Sequence, residues 1–305
     1  MRYKVYQLFF PGGVHLGDTS LDESLVTFSA DTLFSALFQE ALKQGEDCAA
    51  WLYDTAVKGN LLLSDAFPYI GDRFYLPKPM IRPEVIDDQG DSNQKKAFKN
   101  LKYIPMDLME DYLRGELKAK KENSLLKQLS KRSLKTSAKI SDGENTEPYH
   151  VGTLTYTAGN GLYIITATNA EEDEGKLYDL LDMLSFAGIG GKRMSGLGRF
   201  VISKEKKVDP SFFEKEGKWA MALNICLPAE DELDMAMEGA RYQVRKRGGF
   251  VASETYAAQQ RKKKDLYMFT AGSCFRHRFK GEIFDVSDGG NHPVYRFGKP
   301  MFWTI

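Results

Sequence analysis

A chain of 305 residues, 42% hydrophobic and 12% aromatic, is long enough for one large or two moderate domains with an ample core. Lys and Arg (42) balance Asp and Glu (42), and this zero formal charge excludes a protein that coats nucleic acid indiscriminately. Three scattered cysteines (Cys48, Cys226, Cys274) exclude a disulfide framework, and with His15, His150, His277 and His292 they make no metal spacing, so no metal or cofactor is expected.

Arg2–Phe10 has the aromatic and β-branched content of a first strand, with its aromatics expected in the core, and Pro11, Gly12 and Gly13 end it. A loop carrying His15, Gly17 and Asp18 follows. Ser29 and Asp31 sit where caps belong, ahead of a helix running to about Gln44 with Leu33, Phe34, Leu37, Phe38 and Ala41 on its inner face. A short helix around Cys48–Lys58 and a strand over Leu61–Ile70 come next. Phe74–Pro83 holds three prolines and is expected to be extended but not a central strand. Roughly 80–148 is polar and reads as an insertion outside the core. Its Lys118–Lys139 portion carries eight Lys and Arg against one Glu, which suits either a solvated surface excursion or a segment that orders on a polyanion.

Two β-rich arms over Thr153–Thr168 flank Ala158-Gly159-Asn160-Gly161, a hairpin signal. Lys176–Ala187 has the spacing of an amphipathic helix, and Phe200–Ser203 reads as a strand. Without the insertion the order is βαββαβ, predicting an α+β chain whose residues 1–208 form a ferredoxin-like domain of the kind RNA-recognition domains use. Lys204–Gly217 reads as a linker. Residues 209–305 form a second, smaller β-rich α+β domain, with strand candidates in Lys218–Leu227, Tyr242–Ala252, Tyr267–Arg278, Glu282–Val286 and Val294–Ile305. No leader heads the chain and no apolar run approaches ~18 residues, so a cytoplasmic protein with no membrane partner is expected.

The chemistry concentrates in Ala187–Phe200, AGIGGKRMSGLGRF, where five glycines mix with Lys192, Arg193, Ser195 and Arg199. Glycines admit a polyanion to the main chain, backbone N–H groups donate to phosphate and cations neutralise it. The spacing is neither a nucleotide phosphate loop nor a dinucleotide fingerprint, and a helix-to-strand connection with solvated cations is the competing account. Arg245-Lys246-Arg247-Gly248-Gly249-Phe250 is a second basic glycine turn, and two such turns could hold one nucleic-acid strand between the units. Asp18, Asp31 and Asp65 suit capping or turns better than metal binding. Ser195 lacks a nucleophile-elbow pattern, and His15 suits either a general base at a ribose 2′-hydroxyl or a hydrogen-bonding loop residue.

Four stretches together carry a family resemblance: His15–Gly17 (HLG), Ala30–Leu42 (ADTLFSALFQEAL), Leu61–Pro79 (LLLSDAFPYIGDRFYLPKP) and Gly188–Phe200 (GIGGKRMSGLGRF), supported by Arg247–Ser253 (RGGFVAS) and Val294–Pro300 (VYRFGKP). The chain resembles the RAMP-type RNA-binding proteins of CRISPR systems, in particular the type III-A (Csm) effector subunit that caps the 5′ end of the guide RNA. The resemblance implies a non-catalytic scaffold that grips the repeat-derived 5′ tag of the guide and lies beside the adjoining target RNA. It also implies contacts with a large polymerase-like subunit and a backbone RAMP subunit. Gly188, Gly190, Gly191, Lys192, Arg193, Ser195 and Gly196 would line the tag, with His15, Gly17, Lys78 and Arg247, Gly249, Phe250 and Ser253 as further contacts. A thumb-like insertion would lie within 80–148, with Arg132 and Lys135 on RNA. The alternative is a metal-independent endoribonuclease that processes precursor guide RNA with His15 as base.

Overall fold

The computed structural model describes residues 1–17, 20–83, 92–139, 147–253 and 255–305; Asp18 and the start of the Asp87–Lys96 stretch lie outside them. In chain order, β1 (Arg2–Phe9) is followed by helices α1 (Ala30–Gln44) and α2 (Glu46–Val57) and by strands β2 (Leu61–Leu63), β3 (Phe67–Ile70) and β4 (Arg73–Pro77). Helix α3 (Ser92–Asn100), strand β5 (Tyr103–Pro105) and helices α4 (Met109–Leu113) and α5 (Ala119–Leu126) come next. Strands β6 (Ser130–Lys139) and β7 (Glu147–Tyr156) precede β8 (Asn160–Thr168), α6 (Glu171–Ala187) and β9 (Val201–Val208).

The main sheet is antiparallel, in the order β5-β4-β3-β8-β1-β9, with β2 also pairing β8. Strand β1 runs against β8 from Arg2↔Thr168 to Leu8↔Leu162 and against β9 on its other side. Side chains alternate across a strand, so β1 and β8 serve two cores. Tyr6, Leu8, Leu162 and Ile164 meet Leu33, Phe34 and Leu37 of α1, Leu52 of α2 and Leu177, Leu181 and Leu184 of α6. Tyr3, Val5, Tyr163 and Ile165 face the other way, onto Phe98, Leu101, Tyr112, Met221 and Trp303. Each fully buried Leu or Phe contributes about 1.5–3 kcal/mol, so both layers weigh in stability.

That second core corrects the expectation that residues 80–148 lie outside the packed interior. Ala97, Phe98, Leu101, Met109, Tyr112 and Leu117 are buried against the sheet, because α3 to α5 each turn a few large apolar side chains toward it. The end of the insertion is also a strand: β6 pairs β7 over ten residues, from Ser130↔Tyr156 to Lys139↔Glu147. Its SKRSLKTSAK sequence lacks an apolar face because both of its faces are largely solvated. The two arms around Gly159 do not pair with each other. β7 belongs to the ribbon with β6 and β8 to the main sheet, so the tight turn passes the chain from one sheet to another.

Three further boundaries differ. Phe74–Pro83 begins as β4, which is flanked on both sides, because its first residues pair β3 and its last three pair β5 before the prolines take over. Strand β9 continues to Val208 through the first five residues of the expected linker, its lysines tolerated on a largely exposed edge. The Leu61–Ile70 strand is broken into two at Ser64–Ala66.

The C-terminal portion contributes β10 (Ala220–Ala222), β11 (Val244–Arg247), β12 (Leu266–Phe269), β13 (Cys274–Phe275), β14 (Ile283–Asp285), β15 (Tyr295–Phe297) and β16 (Phe302–Thr304). They form one three-stranded sheet, β13-β10-β16, and the ribbons β11-β12 and β14-β15. Phe297 packs on Phe34 with ring centroids 5.2 Å apart, and Tyr295 meets Phe38 at 5.7 Å, so the C-terminal portion closes over the outer side of α1.

Candidate nucleic-acid interface

The glycine turn after α6 is tightly wired. Gly188, at φ +80°, donates its N–H to Leu184 at 2.7 Å and ends the helix. Ile189 N–H then bonds the Gly198 carbonyl (2.9 Å), Gly191 N–H the His15 carbonyl (2.8 Å) and Gly198 N–H the Gly13 carbonyl (2.9 Å). A Cβ at Gly198 would overlap the Ile189 carbonyl oxygen, and one at Gly190 the His15 carbonyl oxygen. These two glycines therefore serve close backbone packing. At Gly196, also left-handed (φ +83°), a Cβ would meet nothing within 4 Å. The N–H groups of Gly190, Lys192 and Arg193 have no acceptor among the described residues, so they remain as donors at the turn.

Lys192 itself is left-handed (φ 57°), a conformation that disfavours a side chain by about 1–2 kcal/mol. Its ammonium lies 4.6 Å from the ring centre of Tyr149 and 3.4 Å from the Tyr149 hydroxyl. This contact joins the turn to β7 of the β6–β7 ribbon. Met194, at the turn's tip, is fully exposed.

The turn forms one wall of a cleft of about 400 Å³. Gly17, Gly188, Gly190, Gly191 and Arg193 line the cleft, and so do Arg245, Arg247, Gly248, Ala252 and Lys263. Thr27, Ser29, Asp31 and Asp65 come from the start of α1 and the β2–β3 connection. The two basic glycine turns, about 55 residues apart in sequence, thus line one opening together.

Two buried carboxylates also line the cleft. Asp31 accepts Arg247 Nε and Nη2 at 2.9 Å each and Arg296 Nη1 at 2.5 Å, while Arg247 Nη2 also bonds the Thr32 hydroxyl at 3.0 Å. Burial would raise the Asp31 carboxyl, but the guanidinium charges of Arg247 and Arg296 outweigh it and hold it below the usual carboxylate range. The capping expectation for Asp31 is therefore corrected: a buried acid with two cations in reach forms ion pairs in preference to a surface cap. Ser29 likewise donates its hydroxyl to Asp31 (2.5 Å), and the first amide of α1, Ala30 N–H, is taken by Asp65 at 2.8 Å. Asp65 also accepts Ile225 N–H at 3.0 Å. Burial pushes its carboxyl up to about 7 against those two amides, with the Asp31 charge adding to the rise.

Of the residues singled out in the sequence, Gly17, Gly188, Gly190, Gly191, Arg193 and Arg247 come together at the cleft, although Arg247 is engaged by Asp31 and Thr32. His15 lies behind the turn, 4% exposed, with Nδ1 donating to the Gly152 carbonyl at 2.7 Å. Ser195 and Gly196 sit toward the tip with Lys192. Gly249 and Phe250 are exposed on the outer ribbon, where Lys262 lies 5.7 Å from the Phe250 ring centre, and Ser253 bonds His292 Nε2 at 2.8 Å. Lys78 is remote from this group: its ammonium donates to the Phe98 carbonyl at 2.6 Å, and burial lowers its pKa. Arg132 and Lys135 are exposed on β6, an odd number of residues apart and so on opposite faces of the ribbon. Sequence reasoning missed Tyr149 and Lys263 and the part Asp31 plays. Their partners are too distant in the chain for any local pattern to reveal.

Among the described residues no group of three or more His, Cys, Asp and Glu is placed to hold a metal ion, and no helix is long and apolar enough to cross a membrane. Comparison with known proteins gives a consistent result. A family model for the RAMP superfamily matches residues 15–201, and one for the CRISPR Csm4 C-terminal domain matches residues 215–305. The chain is 36% identical over 292 residues to the CRISPR system Cms protein Csm4 of Mycobacterium tuberculosis (strain ATCC 25618 / H37Rv), covering 95% of this chain and 94% of that protein. It is 33% identical over 315 residues to the protein of the same name from Streptococcus thermophilus, covering 100% and 99%. Its fold matches a chain of the crystal structure of the Csm3-Csm4 subcomplex in the type III-A CRISPR-Cas interference complex, with a TM-score of 0.66, 18% identity and coverage of 100% and 99%. It also matches a chain of the Csm1-Csm4 cassette in complex with AMPPNP, with a TM-score of 0.63, 19% identity and coverage of 100% and 98%.

Proposed function

The chain belongs to the Csm4 family within the RAMP superfamily, and from that premise we propose that it is the subunit of a type III-A CRISPR interference complex that holds the 5′ repeat-derived tag of the guide RNA. The supporting observation is the pair of basic glycine turns brought to one cleft. Holding a single-stranded end takes main-chain donors at phosphates, cations at bends and polar groups near unpaired base edges. The amides of Gly190, Lys192 and Arg193, which have no acceptor among the described residues, and the cations of Arg193 and Lys263 supply the first two, while the hydroxyls of Thr27 and Ser29, which also bond Tyr103 and Asp31, are polar groups at the cleft.

The four-strand arrangement β9-β1-β8-β2/β3, crossed by α1 and α6, is read as ferredoxin-like, with 1–208 and 209–305 as the two units. The two family models fall either side of that boundary, which supports the division. The β6–β7 ribbon is the thumb candidate, lying beside the glycine turn through Tyr149, and its outer end falls in 140–146, outside the described residues. Partners of the kind in the related structures, a Csm3 backbone subunit and a large Csm1 subunit, are proposed for this chain too. The role is scaffolding without turnover. A general base needs an accessible nitrogen, whereas the His15 ring is buried and one of its nitrogens is committed to Gly152.

Two measurements on the purified protein and its complex test this. Lys192→Ala with Arg193→Ala should weaken guide retention and flatten its dependence on salt; unchanged retention across salt would remove the cleft from the account. Incubation with repeat-containing precursor RNA in EDTA should leave the RNA intact. Specific cleavage that His15→Ala abolishes would establish the endoribonuclease instead.

A further inference from the structure

Three of the stretches that carry the family resemblance meet at one buried carboxylate. Asp31 belongs to Ala30–Leu42, Arg247 to Arg247–Ser253 and Arg296 to Val294–Pro300, at separations of 216 and 265 residues. A fourth, Leu61–Pro79, brings Asp65, which ties the first amide of α1 to Ile225 of the C-terminal portion. The position is unexpected on charge alone, since carboxylates lining a cleft for a polyanion oppose binding. The geometry shows what Asp31 does there. Both of its oxygens engage the Arg247 fork, which fixes the direction of that side chain, and Arg296 reaches from Asp31 to the Gly248 carbonyl at 3.2 Å. The backbone of the second turn is thereby fastened to the first turn of α1. The first glycine turn is fastened separately, through His15 and Gly13.

We propose that Asp31 is a positioning residue for RNA: through Arg247 and Arg296 it holds the second glycine turn in place at the cleft that the first also lines, so affinity depends on a negative charge that itself repels the ligand. This rests on the cleft being the RNA site. It makes a prediction of unusual sign. Removing one negative charge tightens RNA binding if Coulomb attraction alone governs the site, and loosens it if placement of the second turn does.

The test is fluorescence anisotropy of the full chain with a labelled single-stranded RNA carrying the repeat-derived 5′ end, at a temperature below the melting midpoint of every variant. Asp31→Asn is expected to bind about tenfold more weakly, with the slope of log affinity on log salt kept, because no phosphate-neutralising cation is lost. Arg247→Lys keeps the charge but loses the fork, and is expected to weaken binding in the same way. Lys192→Ala with Arg193→Ala is the reference for direct contact, with a slope shallower by about 1.4. Equal or tighter binding by Asp31→Asn, or wild-type binding by Arg247→Lys, overturns the proposal while the reference variant still weakens. A reference variant that binds like wild type overturns the cleft reading and this inference with it.

Discussion

Gly198 and Gly196 permit a test that separates backbone conformation from crowding. Both are left-handed, at φ +82° and +83°, so alanine carries the same conformational cost at either, about 1 kcal/mol. Of the two, only Gly198 has an added Cβ that overlaps a neighbour, the Ile189 carbonyl oxygen, whose residue donates its N–H to the Gly198 carbonyl at 2.9 Å. Relieving that overlap also disturbs the Gly198 N–H bond to Gly13, and each such bond is worth about 1 kcal/mol net. Gly196→Ala should therefore lose roughly 1 kcal/mol and Gly198→Ala roughly 3–4 kcal/mol, about 1–2 °C against about 5–6 °C in melting midpoint for a chain of this length. Differential scanning calorimetry of the two variants beside wild type measures this. Equal losses, or a larger loss at Gly196, would refute the claim that the turn is held by internal backbone packing. Guide retention by Gly196→Ala then tests ligand approach at the open position, where several-fold weaker retention is expected despite a small loss of stability.

Asp65 gives a pH dependence. The folded carboxyl holds its proton up to about 7 while the unfolded one releases it near ~4, so between those values the folded state binds the extra proton and stability falls as pH rises. The ceiling on that loss is roughly 4 kcal/mol, and Asp65→Asn, which keeps an acceptor for Ala30 and Ile225, should flatten the melting midpoint between pH 5 and 7.5; a slope unchanged by the substitution would contradict this. Asp31, whose folded pKa is depressed, acts in a separate window: its contribution is complete above the unfolded value and is lost as pH falls below ~4. Tyr149→Ala should cost less than about 1 kcal/mol of stability, since its contact with Lys192 is partly exposed, yet weaken guide retention by freeing the turn from the ribbon. Retention equal to wild type would show that the two elements act independently.

The legible parts of this fold are those with a strong period. Residues 30–44 and 176–187 announce their helices through Leu33, Phe34 and Leu37 and through Leu177, Leu181 and Leu184, although the second helix begins five residues earlier, at Glu171, in an acidic turn with no apolar period, and the aromatic strand at 2–9 is unmistakable. The β6 strand was hidden because SKRSLKTSAK buries neither face fully, so hydrophobicity does not mark it. Residues 97–119 carried their apolar side chains in short helices, too brief for periodicity to reveal a packed layer. At the candidate site, the glycine turn was plain in the sequence but the reason for its glycines was not. Gly190 and Gly198 prove necessary for contacts with His15 and Ile189, which are settled only by the path of the folded chain. The Asp31 cluster draws on residues 216 and 265 positions away, a relation no local pattern contains.

The central claim is tested most directly by photocrosslinking within the assembled complex, with a photoreactive nucleotide placed in the guide's 5′ tag and the adducts mapped by mass spectrometry. Adducts within residues 188–198 and around 245–252, on RNA of unaltered length, are the predicted result. Tag adducts confined to other surfaces, with residues 188–198 unmodified, would contradict it.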